Sequence, residues 1–218
     1  MRLLRFALPV IAIASLACGS SDSGSQSGGA PASPTAAATT APGPKTVPDP
    51  CQNQGRDCVD ALTSPPPQTI DMAKKYTATV RMANGGSFTI TLDQKSAPVT
   101  VNNFVYLAQH KFYDGLIFHR RVEGFVIQGG DPLGKGTGGP AYKLPDETNP
   151  SPWTTGSVAM ASSAAGINGS QFFVTLADAP FLATNGKYNH FGTVTAGMDV
   201  VQKVQVGDKM QTVEIAVS

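Results

Sequence analysis

Two stretches hold the side chains best suited to chemistry. One is Phe118-His119-Arg120-Arg121-Val122-Glu123-Gly124-Phe125-Val126-Ile127-Gln128, continuing through Gly129-Gly130-Asp131. The other is Gly169-Ser170-Gln171-Phe172-Phe173-Val174-Thr175, preceded by Met160-Ala161. Both set polar donors among phenylalanines, and Arg120 adds a guanidinium, which stays charged and presents its donors as a rigid fork. Other chemistries fit poorly. Ser170 lies in Asn-Gly-Ser-Gln, not in a Gly-x-Ser-x-Gly elbow, and no partner histidine can be nominated. His110, His119 and His190 stand far apart, none at ligand spacing to another, so no metal and no cofactor is expected. The run from Gly134 to Gly139 has the spacing of a dinucleotide fingerprint. Pro140 follows it and no helical pattern does, so no helix N-terminus awaits a pyrophosphate. It reads as a surface loop.

The elements that must carry these residues are short. The chain has 218 residues, with 23 glycines and 17 prolines, which favours brief strands and many turns over a helical bundle. Strands are expected over 76–82, 87–92, 117–122, 125–128, 156–161, 172–176, 190–194 and 210–217. The first two flank Asn84-Gly85, a hairpin signal because both residues tolerate positive φ. Pro98 opens a helix whose Val101, Phe104, Val105 and Ala108 form one apolar face, and a second short helix is expected over 198–205. Strands without a βαβ rhythm point to a mainly β protein: a closed eight-stranded antiparallel barrel with two α-helices. Side chains fill the inside of so small a barrel, so a polypeptide must bind on its outer wall or rim.

Upstream, residues 1–17 read as an export signal: Arg2 and Arg5, then an apolar run too short to span a bilayer. Ala14-Ser15-Leu16-Ala17-Cys18 resembles a bacterial lipobox, with Ser15 where Leu is commoner, and makes Cys18 a lipidation site. Ordinary secretion with an incidental cysteine is the alternative. Residues 18–50, rich in Ser, Gly, Ala, Pro and Thr, lack the apolar surface needed to fold and read as a flexible linker reaching on the order of 30 Å. Residues 51–75 form a collar in which Cys51 and Cys58 are expected to pair in an oxidising compartment. The folded domain is expected from 76 to 218. Net charge is +1 and basic residues are scattered, which argues against nucleic acid as a partner.

The two motifs, with Gly136-Thr137-Gly138-Gly139 and Phe191-Gly192, resemble the cyclophilin family of peptidyl-prolyl cis–trans isomerases from about Tyr76 to Val217. The family fold is an eight-stranded antiparallel barrel capped by two helices. An X–Pro bond rotates slowly because amide resonance sets a barrier of about 18–20 kcal/mol. Nothing is cleaved, so the catalyst need only hold the twisted amide better than either planar form. In that form the prolyl nitrogen regains a lone pair, and Arg120 is expected to donate to it. Arg121, on the opposite face of the strand, is excluded. By resemblance, Phe125, Val126, Phe173, Leu182 and Tyr188 line the proline socket. Gln128 binds substrate backbone and orients Arg120, Ala161 and Ser162 hold the peptide extended, and Gln171 lines the adjoining subsite. His119 is expected to be a satisfied structural histidine.

Departures from the family pattern are Ser162 for a common Asn, Val126 for a Met, and Phe181 at the place of the Trp in ciclosporin-sensitive members. Tyr188 replaces a His beyond an insertion spanning 183–188. The expected activity is prolyl isomerisation in the folding of extracytoplasmic proteins, by a monomer held to a membrane only through its lipid anchor. The alternative is a module that binds proline-containing polypeptides and catalyses incidentally.

Overall fold

The computed structural model describes Cys51, residues 55–184 and residues 186–218, all within the unit Pro44–Ser218. The expected signal segment 1–17, Cys18 and the linker 18–50 lie outside the described residues.

Alternation of side chains builds the sheet. β1 (Tyr76–Met82) buries Tyr76, Ala78, Val80 and Met82, and β2 (Ser87–Leu92) buries Phe88, Ile90 and Leu92, with more exposed residues between. The remaining long strands are β3 (Phe118–Val122), β4 (Val126–Gly129), β6 (Ser157–Ser163), β7 (Gly166–Thr175), β8 (His190–Ala196) and β9 (Met210–Val217). The two-residue β5 (Lys143–Leu144) adds to β7. Neighbouring strands run in the order β3-β4-β7-β6-β8-β2-β1-β9, and every pairing is antiparallel.

The barrel expected to be closed is an open, curled sheet. Its edge strands β3 and β9 share no ladder; they approach in one bridge, Ile117 to Lys209, just outside β3. Four backbone bonds surround it: Phe118 N–H to Asp208 O and Gly207 N–H to Phe118 O, each 2.9 Å, and Met210 N–H to Leu116 O and Gly115 N–H to Met210 O, each 2.8 Å. β9 pairs with β1 from Met210 to Val217 along one edge, and along its other edge it meets backbone only at Met210, through those bonds with Gly115 and Leu116. Farther along β3, Arg121 Nη1 donates to Val204 O at 2.7 Å, so a side chain spans the gap instead of backbone.

α2 (Pro98–Gln109) is buried from Thr100 through Ala108, more completely than one apolar stripe requires. The collar explains it. α1 (Gly55–Asp60) is joined back to Cys51 through the Cys51–Cys58 disulfide. Cys51, Val59 and Ile70 belong to the same apolar cluster as the sheet interior. Asn102, 2% exposed, clasps the strap beside it. Its Oδ1 accepts from Thr69 N–H at 2.7 Å and Ile70 N–H at 3.2 Å, and its Nδ2 donates to Pro67 O at 2.9 Å. Among the described residues, the collar thus shares the apolar core of the strands that follow it from Tyr76. A third helix, α3 (Met198–Lys203), ends two residues earlier than the sequence pattern suggests, with Val204 as its C-cap.

Candidate active site

Register decides which side chains meet on the outer face. Phe118 pairs with Gly129, and the next pair is Arg120 with Gln128, so His119 is an extra residue bulged out of the ladder. In an unbroken strand Phe118 and Arg120 would share a face. The bulge lets Phe118 stay inside while Arg120 turns out. Followed across the sheet, the pairs align Arg120, Gln128, Phe173 and Ala159 in one row. The inner row beside it is Phe118, Gly129, Phe172 and Met160.

The outer row meets a second apolar cluster of Val126, Trp153, Ala159, Phe173, Ala179 and Leu182, with Val122, Phe125 and Tyr188 packed against it. A cavity of about 280 Å³ opens between cluster and arginine, lined by Arg120, Phe125, Val126, Gln128, Ala161, Ser162, Phe173, Leu182 and Tyr188. Gln171 faces the adjoining cavity of about 350 Å³, which also takes in Gln128, Ala161, Ser162, Gly136 and Thr137. Phe181 is not among the lining residues of the first cavity. It is 46% exposed and rests its ring against Phe125, with centroids 5.3 Å apart. Arg121, side chain 11% exposed, points away, to Glu123 and Val204.

Arg120 is exposed and is steered by a relay. Its Nη1 donates to Gln128 Oε1 at 3.2 Å, Gln128 Nε2 to Gln171 Oε1 at 2.9 Å, and Gln171 Nε2 to Gly138 O at 2.8 Å. Gln171 stands on a wide bulge, for the β6–β7 ladder passes from Met160–Phe172 directly to Ser162–Ile167. That bulge is pinned from below. Asn103 Nδ2 donates to Gly169 O at 2.7 Å, and Ser170 Oγ donates to Gly130 O at 2.8 Å. The approach at Gly130 is too close for any other residue: at φ 80°, a Cβ would meet Ser170 O at 2.4 Å.

The loop from Asp131 to Gly138, read from sequence as a surface loop, wraps around a buried carboxylate. Asp131 accepts from the backbone N–H groups of Leu133 (2.8 Å), Lys135 (2.9 Å) and Thr137 (3.1 Å), and from Gly136. Burial alone would raise its pKa, but these N–H donors together hold it below the ordinary carboxylate value.

His119 corrects an expectation. Neither buried ring nitrogen has a hydrogen-bond partner among the described residues, so it is not the satisfied histidine foreseen. Burial lowers its pKa, Asp131 works against that, and Arg120 adds to it. Sequence reasoning also missed Trp153. Only 6% exposed, it lies 6.1 Å from Phe173 at 12° between rings, 4.8 Å from His190 at 22°, and edge-on to Tyr188. It backs two of the socket's three aromatic walls, Phe173 and Tyr188. As the only tryptophan, directly after Asn149-Pro150-Ser151-Pro152, it carried no periodic signal to mark it.

A curled antiparallel sheet with a guanidinium beside an apolar, proline-sized hollow on its outer face is the architecture of a prolyl isomerase. The profile of the family described as cyclophilin type peptidyl-prolyl cis-trans isomerase/CLD matches residues 77–217. The chain therefore belongs to the cyclophilin-type peptidyl-prolyl cis–trans isomerases and is an enzyme of that class. A peptidyl-prolyl cis-trans isomerase of Helicobacter pylori is 42% identical over 147 residues, 66% of this chain and 88% of the relative. Peptidyl-prolyl cis-trans isomerase B of Bacillus subtilis is 42% identical over 136 residues, 62% of this chain and 94% of the relative. Among solved structures, a Cryptosporidium parvum cyclophilin type isomerase crystallised with the dipeptide Ala-Pro superposes with a TM-score of 0.58 and 29% identity. The match covers 64% of this chain and 98% of the other.

Proposed function

We propose that Arg120 carries the catalysis, by donating to the prolyl nitrogen of a half-rotated X–Pro amide whose ring sits in the socket. The supporting observation is that one small cavity holds both the Arg120 guanidinium, held by Gln128, and the apolar walls Phe125, Phe173 and Leu182. A planar amide nitrogen has its lone pair in resonance and accepts little. A pyramidal one accepts fully, so the donor favours the transition state over both ground states. Ala161 and Ser162 present backbone along the groove for an extended peptide, and Gln171 borders the next subsite. No proton moves in this scheme, which leaves His119 outside it.

Further, the isomerase works outside the cytoplasm as a monomer, tethered through a lipid on Cys18, and serves X–Pro steps in folding there. What supports this is the Ala-Ser-Leu-Ala-Cys18 sequence together with a disulfide in the folded part. Mass spectrometry of the mature N-terminus checks it: a diacylated Cys18 is expected, and an unmodified start elsewhere refutes the anchor. For the catalytic part, Arg120→Ala is expected to lower kcat/KM on a short Ala-Pro peptide by about a hundredfold, with thermal stability nearly unchanged. Equal rates for the two proteins refute it.

A further inference from the structure

Beyond Tyr188 the groove widens into a second cavity of about 500 Å³. It is continuous with the proline socket, since Ser162 and Tyr188 line both. Its floor is apolar: Leu144 and Ile167, 5% and 4% exposed, face each other across the β5–β7 pair. Its rim carries one ion pair, Lys187 Nζ to Asp146 Oδ2 at 2.6 Å.

The two partners differ in what they have left to offer. Asp146 is already engaged at both oxygens. Oδ1 accepts from Thr148 N–H at 3.0 Å and from the Thr148 hydroxyl, and Oδ2 faces Lys187. The Lys187 hydrogen bond, then those of Thr148, hold its carboxyl far below the ordinary range, so it stays a fixed anion. An ammonium has three donors, and the contact to Asp146 uses one. The Lys187 side chain is 74% exposed, so the others are open to whatever enters the cavity. The unspent hydrogen-bonding capacity of the rim is therefore a positively charged donor, anchored by Asp146 above an apolar floor.

We propose that Lys187 is a specificity-determining residue and that this cavity is a substrate subsite favouring prolyl peptides with an aspartate or glutamate side chain near the proline. The proposal rests on the reading of the Arg120 groove as the catalytic site. The carboxylate meets the free ammonium donors while its methylene stem covers Leu144 and Ile167. Because the rim pair is neutral as a whole, selection acts at contact and not at a distance. The ammonium is exposed, so the preference is modest, about threefold, and shrinks as salt is added.

The test is a peptide scan on the full chain. Glu, Ala or Lys is placed in turn at each of three positions before and two positions after the proline of an otherwise constant Ala-Pro peptide. Isomerisation is followed by protease-free NMR exchange. The expected result is a kcat/KM ratio of glutamate to alanine peptide of about three at one or two adjacent positions. Lys187→Ala brings that ratio to one, and Lys187→Glu turns the preference towards the lysine peptide. A flat scan, or a glutamate preference that survives Lys187→Ala, overturns the proposal. Arg120→Ala separates the two readings: it slows every peptide alike and leaves the ratios in place. Should it slow none, the groove reading itself is what fails.

Discussion

Phe172 and Phe173 are neighbours in sequence and opposites in use. Phe172 lies in the inner row with Phe118 and Met160, is fully buried, and meets Phe104 and Tyr113 edge-on at 5.6 Å. Phe173 lies in the outer row with Arg120 and Gln128, and its ring is one wall of the socket. Composition does not separate the rows, for both are rich in aromatic and aliphatic groups. What separates them is which side of the sheet they face, and at β3 that is settled by one extra residue. The lesson is that this site is a product of register before it is a product of residue type.

Register can be broken directly. Deleting Ile127, which pairs with Arg121 in an unbulged stretch, forces either Val126 or Gln128 onto the wrong face. The expected outcome is loss of a cooperative thermal transition. Deleting His119 does the reverse: it regularises the ladder and keeps Phe118 inside and Arg120 outside. Because no hydrogen bond of its ring is lost, that variant is expected to fold and to keep activity within about tenfold, scored by melting and isomerase rate. A folded Ile127 deletion, or an unfolded His119 deletion, contradicts the importance given to the bulge.

Next in size is the pair of alanine substitutions. Phe172→Ala opens a cavity in the sheet interior and is expected to lose about 3–5 kcal/mol of stability in denaturant titration. Phe173→Ala, at the edge of a groove, is expected to lose less than half as much. Its kcat/KM, measured well below the melting point, should fall about tenfold or more. Equal stability losses with equal residual activities would erase the distinction between the faces.

The smallest expected effect is that of mild acid. His119 and His190 have folded pKa values lowered by burial, so the unfolded chain binds protons first. Stability is therefore complete above the usual histidine value of 6.5 and declines as pH falls through it. Asp131 acts lower down. Its folded pKa is depressed, so its contribution is present above the ordinary carboxylate value of 3.8 and is lost as pH falls towards the folded one. Amide exchange should show the loop 131–138 loosening in that lower window. Unchanged protection there would mean the four N–H bonds do not hold the loop.

Much of this was legible in the sequence because the two motifs are long and their residues adjacent in the fold. Six side chains named from them line a single cavity together with Ser162, Leu182 and Tyr188, and Gln171 borders the next. Phe181, matched by resemblance to the Trp of ciclosporin-sensitive members, braces Phe125 from outside the cavity, a matter of the four-residue turn Pro180–Ala183 that no periodicity reports. The open seam escaped for a related reason. Strand patterns give length and face, while closure depends on how far the two edge strands run alongside each other, and β3 and β9 meet only around the Ile117–Lys209 bridge. Burial on both sides of α2 was hidden because the covering strap is made of prolines and a threonine, held by Asn102 through backbone groups.

That clasp has a mechanical consequence. Any pull on the chain upstream of Cys51 arrives first at the ring closed by Cys51 and Cys58, then at the strap grasped by Asn102 on α2. None of those bonds belongs to the strands that carry Arg120, Gln128 or Phe173. A pull from the N-terminal side is thus taken up by α2 and by the collar's packing against the inner core, while the outer face that carries the groove is left slack.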